Sequence, residues 1–143
     1  MRFFLCFLLL FIYPALATKH DGVWSNDCNS FDAFEIKVDS SQSPLVINDN
    51  QIVILVQSKM VEEDKADIFF SKTLDLGAGG MRLNWNNVST ARKIADINFN
   101  ERKGFLTWYG FYDEKIDKYF WIKDPDFMRS LSVSGKIPLN KCN

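Results

Sequence analysis

Leu45-Val46-Ile47 and Ile52-Val53-Ile54-Leu55-Val56 flank the triplet Asn48-Asp49-Asn50, and this one segment sets the fold class. β-Branched and aliphatic side chains favour extended backbone, whereas Asn and Asp favour turns because their side chains hydrogen-bond locally. Two such runs around a short polar triplet predict an antiparallel hairpin, with its second strand over residues 51–61. Upstream, Phe34, Ile36 and Val38 alternate with Glu35, Lys37 and Asp39, a period of two that buries one face. Ser40-Ser41-Gln42-Ser43-Pro44 is turn chemistry. Downstream, Ile68-Phe69-Phe70 opens another apolar segment, residues 82–85 suit a short strand, and Leu76-Gly77-Ala78-Gly79-Gly80 reads as a flexible loop. Residues 86–93 fit either a helical turn or the start of a strand. Ala95, Ile97 and Phe99 again alternate with polar residues. Residues 105–112 predict a strongly aromatic strand paired with residues 119–122 as an antiparallel meander, and Asp124-Pro125-Asp126 caps a short helical turn through Phe127-Met128-Arg129. Strands at intervals of about 8–12 residues point to an all-β, mainly antiparallel small barrel or sandwich with a C-terminal aromatic meander and room for one short helix.

The N-terminus precedes this domain as a leader. Arg2 gives a positive start, residues 3–13 carry no charge, and Ala15-Leu16-Ala17 supplies the small-x-small pattern of a signal-peptidase site. The apolar run falls short of the about 20 residues a membrane-spanning helix needs. Residues 1–17 therefore read as a signal peptide and residues 18–143 as one exported domain, periplasmic or secreted, without a transmembrane segment. Removing 17 of the 143 residues leaves 126, enough for a single core. Of the 17 basic residues 16 remain against 18 acidic ones, so the net charge is −2 and no basic field exists to attract nucleic acid. Cys6 leaves with the leader. Cys28 and Cys142 remain, an even pair in an oxidising compartment, and are expected to form a disulfide joining the two ends of the domain.

Catalytic chemistry finds little support. His20 is the only histidine and lies three residues past the cleavage site, where an exposed terminal side chain is expected, so Ser-His-Asp, Cys-His and His-ligated metal sites are not indicated. Glu62-Glu63-Asp64 and Asp124-Pro125-Asp126 are the only paired carboxylates placed for acid–base work. Such work needs one carboxyl buried against an apolar wall, and both clusters read as solvated turns; a hydrolase using Glu62 or Asp126 is the remaining enzymatic possibility. The Gly77–Gly80 stretch lacks the Gly-Lys-Ser/Thr of a phosphate loop, and Asn87-Val88-Ser89 is a glycosylation sequon. No catalytic residue, metal or cofactor is expected.

The aromatic segment offers the best binding surface. On a continuous strand over 105–112, Leu106, Trp108 and Tyr112 share one face and Phe105, Tyr109 and Phe111 the other. One face fills the core and the other is free for contacts, for which Tyr and Trp are well suited. The candidate contact residues are Trp108, Tyr109, Tyr112, Tyr119 and Trp121.

Gly22-Val23-Trp24 at the start of the domain resembles the Gly-x-Trp signature on the first strand of lipocalin-type (calycin) barrels. Gly22-x-Trp24-x-x-x-Cys28 is also similar to the start of small exported bacterial β-domains, including metalloprotease inhibitors built on an eight-stranded barrel. The resemblance implies an up-and-down barrel with Trp24 plugging one end. The later Thr-Asp-Tyr block of lipocalins is absent, and 15% aromatic residues suit a barrel filled by its own side chains. The sequence thus points to an exported, non-enzymatic domain that binds and inhibits or neutralises another protein. The alternative is a lipocalin-like carrier of a small apolar ligand.

Overall fold

Alternating burial, the pattern a half-buried strand imposes, runs through most of the chain. The structure is a computed structural model describing residues 17–48 and 52–143; the signal segment up to residue 16 and the tip of the Asn48–Asn50 turn lie outside those residues. The strands are β1 (Gly22–Ser25), β2 (Glu35–Val38), β3 (Gln42–Val46), β4 (Val53–Glu62), β5 (Lys65–Asp75), β6 (Lys93–Asn100), β7 (Lys103–Trp108), β8 (Phe111–Asp113), β9 (Lys118–Phe120) and β10 (Lys136–Lys141). Two short helices, α1 (Gly77–Gly80) and α2 (Asp126–Leu131), and a 3-10 turn (Trp85–Asn87) complete it. Eight strands form one antiparallel sheet in the order β2-β1-β10-β7-β6-β5-β4-β3, and β8-β9 form a separate ribbon. The large sheet curls until its edge strands β2 and β3 lie side by side, giving a nearly closed barrel. The predicted hairpin is β3-β4, with Val46 opposite Val53.

Side chains fill the barrel axis. Trp24, Ile36, Ile54, Val56, Ile68, Ile97, Leu106 and Ile137 are all buried within it. At the base, Trp24 packs on Phe99 with ring centroids 4.7 Å apart, and its Nε1–H donates to the His20 carbonyl at 2.8 Å. His20 is here the opposite of an exposed terminal residue: it is 1% exposed, stacks on Phe99 at 4.2 Å, and shares a 2.8 Å hydrogen bond between Nε2 and Asp64 Oδ1. Its stacking partner Phe99 sits far away in sequence, on β6, so proximity to the chain end said nothing about its burial. At the top, Phe70, Trp85, Trp108, Phe111, Phe127 and Phe34 form a second aromatic layer.

Four local expectations change. Gln42, Ser43 and Pro44, read as turn, open β3, because they continue the pairing of Leu45 and Val46 with β4. Residues 82–85 run as a turn into the 3-10 segment, because Trp85 Nε1–H is tied back to the Gly80 carbonyl at 2.8 Å. The glycine stretch forms the single turn α1, with Gly80 wedged against Ile52. The aromatic strand over 105–112 is interrupted: Gly110 has φ 92°, a left-handed value reserved largely for glycine, and the chain turns there from β7 into β8. That break resets the alternation, so Phe111 joins Trp108 in the core instead of facing outward.

Cys28 and Cys142 are bridged, with Cα atoms 5.5 Å apart, closing a loop over a separation of 114 residues. A loop of about 100 residues is worth about 4.7 kcal/mol in the chain-entropy model, so Cys28→Ser or Cys142→Ser is expected to lower stability by about 2–5 kcal/mol in denaturant melts. A Cβ at Gly110 would collide with the Phe120 carbonyl oxygen as well as require a strained φ. Gly110→Ala is therefore expected to cost at least about 2 kcal/mol in the same assay.

Candidate functional site

The outer wall of β5, β6 and β7 carries an ion cluster that ordinary surface strands lack. Asp67 on β5 and Asp96 on β6 are direct cross-strand neighbours, an arrangement that like charges disfavour. Lys93 bridges them, with Nζ 3.0 Å from Asp67 Oδ1 and 2.9 Å from Asp96 Oδ2, and Lys65 lies 3.9 Å from Asp96. Tyr109 donates its hydroxyl to Asp96 Oδ2 at 2.8 Å. Asp96 is consequently 2% exposed although it alternates with the core residues Ala95 and Ile97.

Three tyrosines extend this cluster onto the surface. Beyond Gly110 the β8-β9 ribbon folds against the wall, and Tyr112 lies opposite Tyr119 in its register. Tyr119 donates to the Lys93 carbonyl at 2.9 Å, and Tyr112 donates to Asp117. The ring of Tyr119 lies 6.4 Å from that of Tyr109 and 5.0 Å from that of Tyr112. Two cations stand over ring faces, Arg92 at 4.8 Å from Tyr112 and Lys93 at 5.2 Å from Tyr109. Each hydroxyl is tied down, so the rings are held in place rather than free to rotate.

The five candidate aromatic residues divide. Tyr109, Tyr112 and Tyr119 come together as this face, with Tyr112 mostly covered and the other two half-buried. Trp108 is 4% exposed and donates from Nε1 to the Trp121 carbonyl at 3.0 Å; Trp121 is half-buried against Trp85 and Phe111. The two tryptophans therefore support the ribbon from beneath. Gly22 and Trp24 sit at the barrel base, away from the tyrosines. Sequence reading missed Arg92, Lys93, Asp67 and Asp96. The signal was faint: a single acid at an outward position of β6 looks like any solvated residue until β5 places a second acid beside it.

Charge chemistry follows from these contacts. Burial and the Asp96 carboxylate both disfavour the phenolate and raise the Tyr109 pKa. Tyr112 is raised mainly by its hydrogen bond to Asp117. Burial works to lower Lys93, but its hydrogen bonds to Asp96 and Asp67 outweigh this, and its pKa rises well above the usual lysine range. The hydrogen bonds from Lys19 and His20 hold Asp64 below the usual carboxylate range, and Asp126 is paired with Arg129. In the sequon, Asn87 closes the 3-10 turn and Ser89 is buried, its Oγ accepting from the amides of Ala91 and Arg92 at 3.1 Å.

No family model, curated protein or solved structure matches the chain.

A folded pKa above the unfolded one contributes stability that is complete below about pH 10 and disappears as pH rises through the folded value. Spectrophotometric titration at 295 nm should accordingly show Tyr109 and Tyr112 ionising late, and Tyr109→Phe should reduce the amplitude of that late step. Asp96→Asn should move the Tyr109 contribution to lower pH. Lys93→Met leaves the buried Asp96 carboxylate with only Tyr109 and the more distant Lys65 and should cost about 1–3 kcal/mol in denaturant melts.

Proposed function

We propose that this protein is an exported, non-enzymatic domain that binds another protein through its tyrosine face and thereby inhibits or neutralises it. The observation that carries the reading is the row Tyr109, Tyr119 and Tyr112, each anchored through its hydroxyl and flanked by Arg92 and Lys93. Tyr and Arg are the side chains that dominate binding energy at protein interfaces, and rings ordered in advance lose little entropy on association. The ion cluster beneath them supports this assignment, since it fixes the rings through Asp96 and Lys93. Export is supported by the leader sequence and the Cys28–Cys142 disulfide, a bond that persists in oxidising compartments. The Gly22-x-Trp24 resemblance supports the same class, because Trp24 plugs the barrel base.

Packing also weighs against the carrier alternative. A small-molecule carrier needs an interior cavity of roughly 300 Å3 or more. The barrel axis is occupied instead by Trp24, Ile68, Ile97, Leu106 and the aromatic layer above them.

The decisive experiment is native mass spectrometry of the oxidised protein after affinity capture from the envelope or secretion fraction of its own source. A stoichiometric protein partner is expected. A bound mass of a few hundred daltons would transfer the assignment to the carrier reading. With the partner in hand, Tyr109→Ala combined with Tyr119→Ala should weaken binding by at least about thirtyfold, the size of one interface hot spot, as measured by calorimetry.

A further inference from the structure

The barrel closes without a backbone ladder between β2 and β3, and the way it closes leaves one end of the seam unfilled. Near the base, one serine hydroxyl crosses the seam, Ser43 from β3 to β2, and a second, Ser58 on β4, ties down Asp39 just past the end of β2. Ser58 Oγ accepts from the Asp39 amide at 3.0 Å and donates to the Asp39 carbonyl at 2.6 Å, and Ser43 Oγ donates to the Lys37 carbonyl at 3.2 Å. Above Lys37 no such stitch exists among the described residues. The Ile47 amide donates to the Ile52 carbonyl, so on β3 the groups of residues 47, 45 and 43 face β4 while those of Val46, Pro44 and Gln42 face the seam. The Asn26 amide donates to the Phe34 carbonyl, so on β2 the groups of residues 34, 36 and 38 face β1 while those of Glu35 face the seam. Pro44 fits this account, since proline belongs in a sheet where no ladder donor is required.

A cleft of about 460 Å3 opens at this end, between β2, β3 and α2. Its floor is apolar, formed by Phe34, Ile47 and Phe127, and Val46 and the fully exposed Phe31 stand at its rim. Its lining carries Asp32, Glu35 and Asp126 and no lysine or arginine. Asp126 is paired with Arg129. Asn48 also lines the cleft, and its Oδ1 is a buried acceptor with no hydrogen-bond partner among the described residues. Buried acceptors of this kind are normally satisfied, and an unsatisfied one calls for a donor.

We propose that the upper β2-β3 seam is a docking groove for an extended segment of a partner protein that alternates apolar and basic residues. The free backbone groups of Glu35 and Val46 pair with the segment's main chain, in the manner of strand addition to a sheet edge. Its apolar side chains cover Phe34, Ile47 and Phe127, and its lysines or arginines meet the acidic rim and the Asn48 acceptor. A second copy of this chain is a poor occupant, because pairing two seams would bring the acidic rims together and set one Pro44-bearing edge against another. This groove is separate from the tyrosine face and does not rest on that assignment.

The test uses 15N-labelled oxidised protein and two blocked pentapeptides, one alternating lysine and valine, the other glutamate and valine. The lysine peptide should shift the amide resonances of Glu35 and Val46 saturably and bind at least about tenfold more tightly than the glutamate peptide, a difference of about 1.4 kcal/mol. Combining Asp32→Lys with Glu35→Lys should weaken the lysine peptide by about tenfold, whereas Tyr109→Ala should leave it unchanged. The comparison of the two peptides on the unaltered protein tests the charge argument even if the variant fails to fold. Equal affinity for both peptides, absence of shifts at Glu35 and Val46, or shifts centred on the tyrosine face would overturn the proposal. Concentration-dependent shifts at the seam without peptide would do the same and identify a second copy as the occupant.

Discussion

An eight-stranded barrel is only as wide as the side chains that fill it, and here aromatic rings close both of its ends. Trp24, Phe99 and His20 occupy the base, and Phe111, Trp108, Phe127 and Trp85 the top. The upper layer is possible only because the chain turns at Gly110. Continuous alternation would have sent Phe111 outward with Tyr109; the positive φ at residue 110 resets the parity, puts Phe111 inside and starts the β8-β9 ribbon on the wall. Filling the core and building the tyrosine face are thus two consequences of one backbone constraint.

The face in turn depends on a charge problem and its resolution. Opposed aspartates on adjacent strands would repel, and Lys93 between them converts the repulsion into a triad that also orients Tyr109. Lys93 contributes twice, through its ammonium group to the carboxylates and through its carbonyl to Tyr119. A buried ion cluster of this sort adds little net stability, yet losing one member is costly because it strands a charge. Such a network keeps side chains in one arrangement, which suits a surface that recognises a partner by shape.

Closure at the seam follows a different logic. A full ladder between β2 and β3 would have produced a barrel without edges. The Ser43 hydroxyl bonds across the lower part to Lys37, and Ser58 on β4 holds Asp39 beside it, while the upper part opens into a cleft beside α2. The sheet retains two short edges, one carrying Pro44, which limits uncontrolled pairing with other chains.

Much of this was legible in the residues alone. Period-two alternation and the Asn48–Asn50 triplet between β-branched runs determined the antiparallel strands, because side-chain burial on one face repeats every second residue whatever the neighbours are. Cysteine parity likewise indicated the Cys28–Cys142 pairing, and Asp124-Pro125-Asp126 marked the start of α2. Other features arise only when distant strands meet. His20 is buried by Phe99 and Trp24, Asp96 by Tyr109 and Lys93, and the orientation of Phe111 by a single glycine whose φ no local pattern announces. Local periodicity reports which side of a strand is apolar. Tertiary structure alone decided which polar residues share a wall, which tyrosines remain outside and where the barrel fails to close, because each depends on register between strands far apart in the chain.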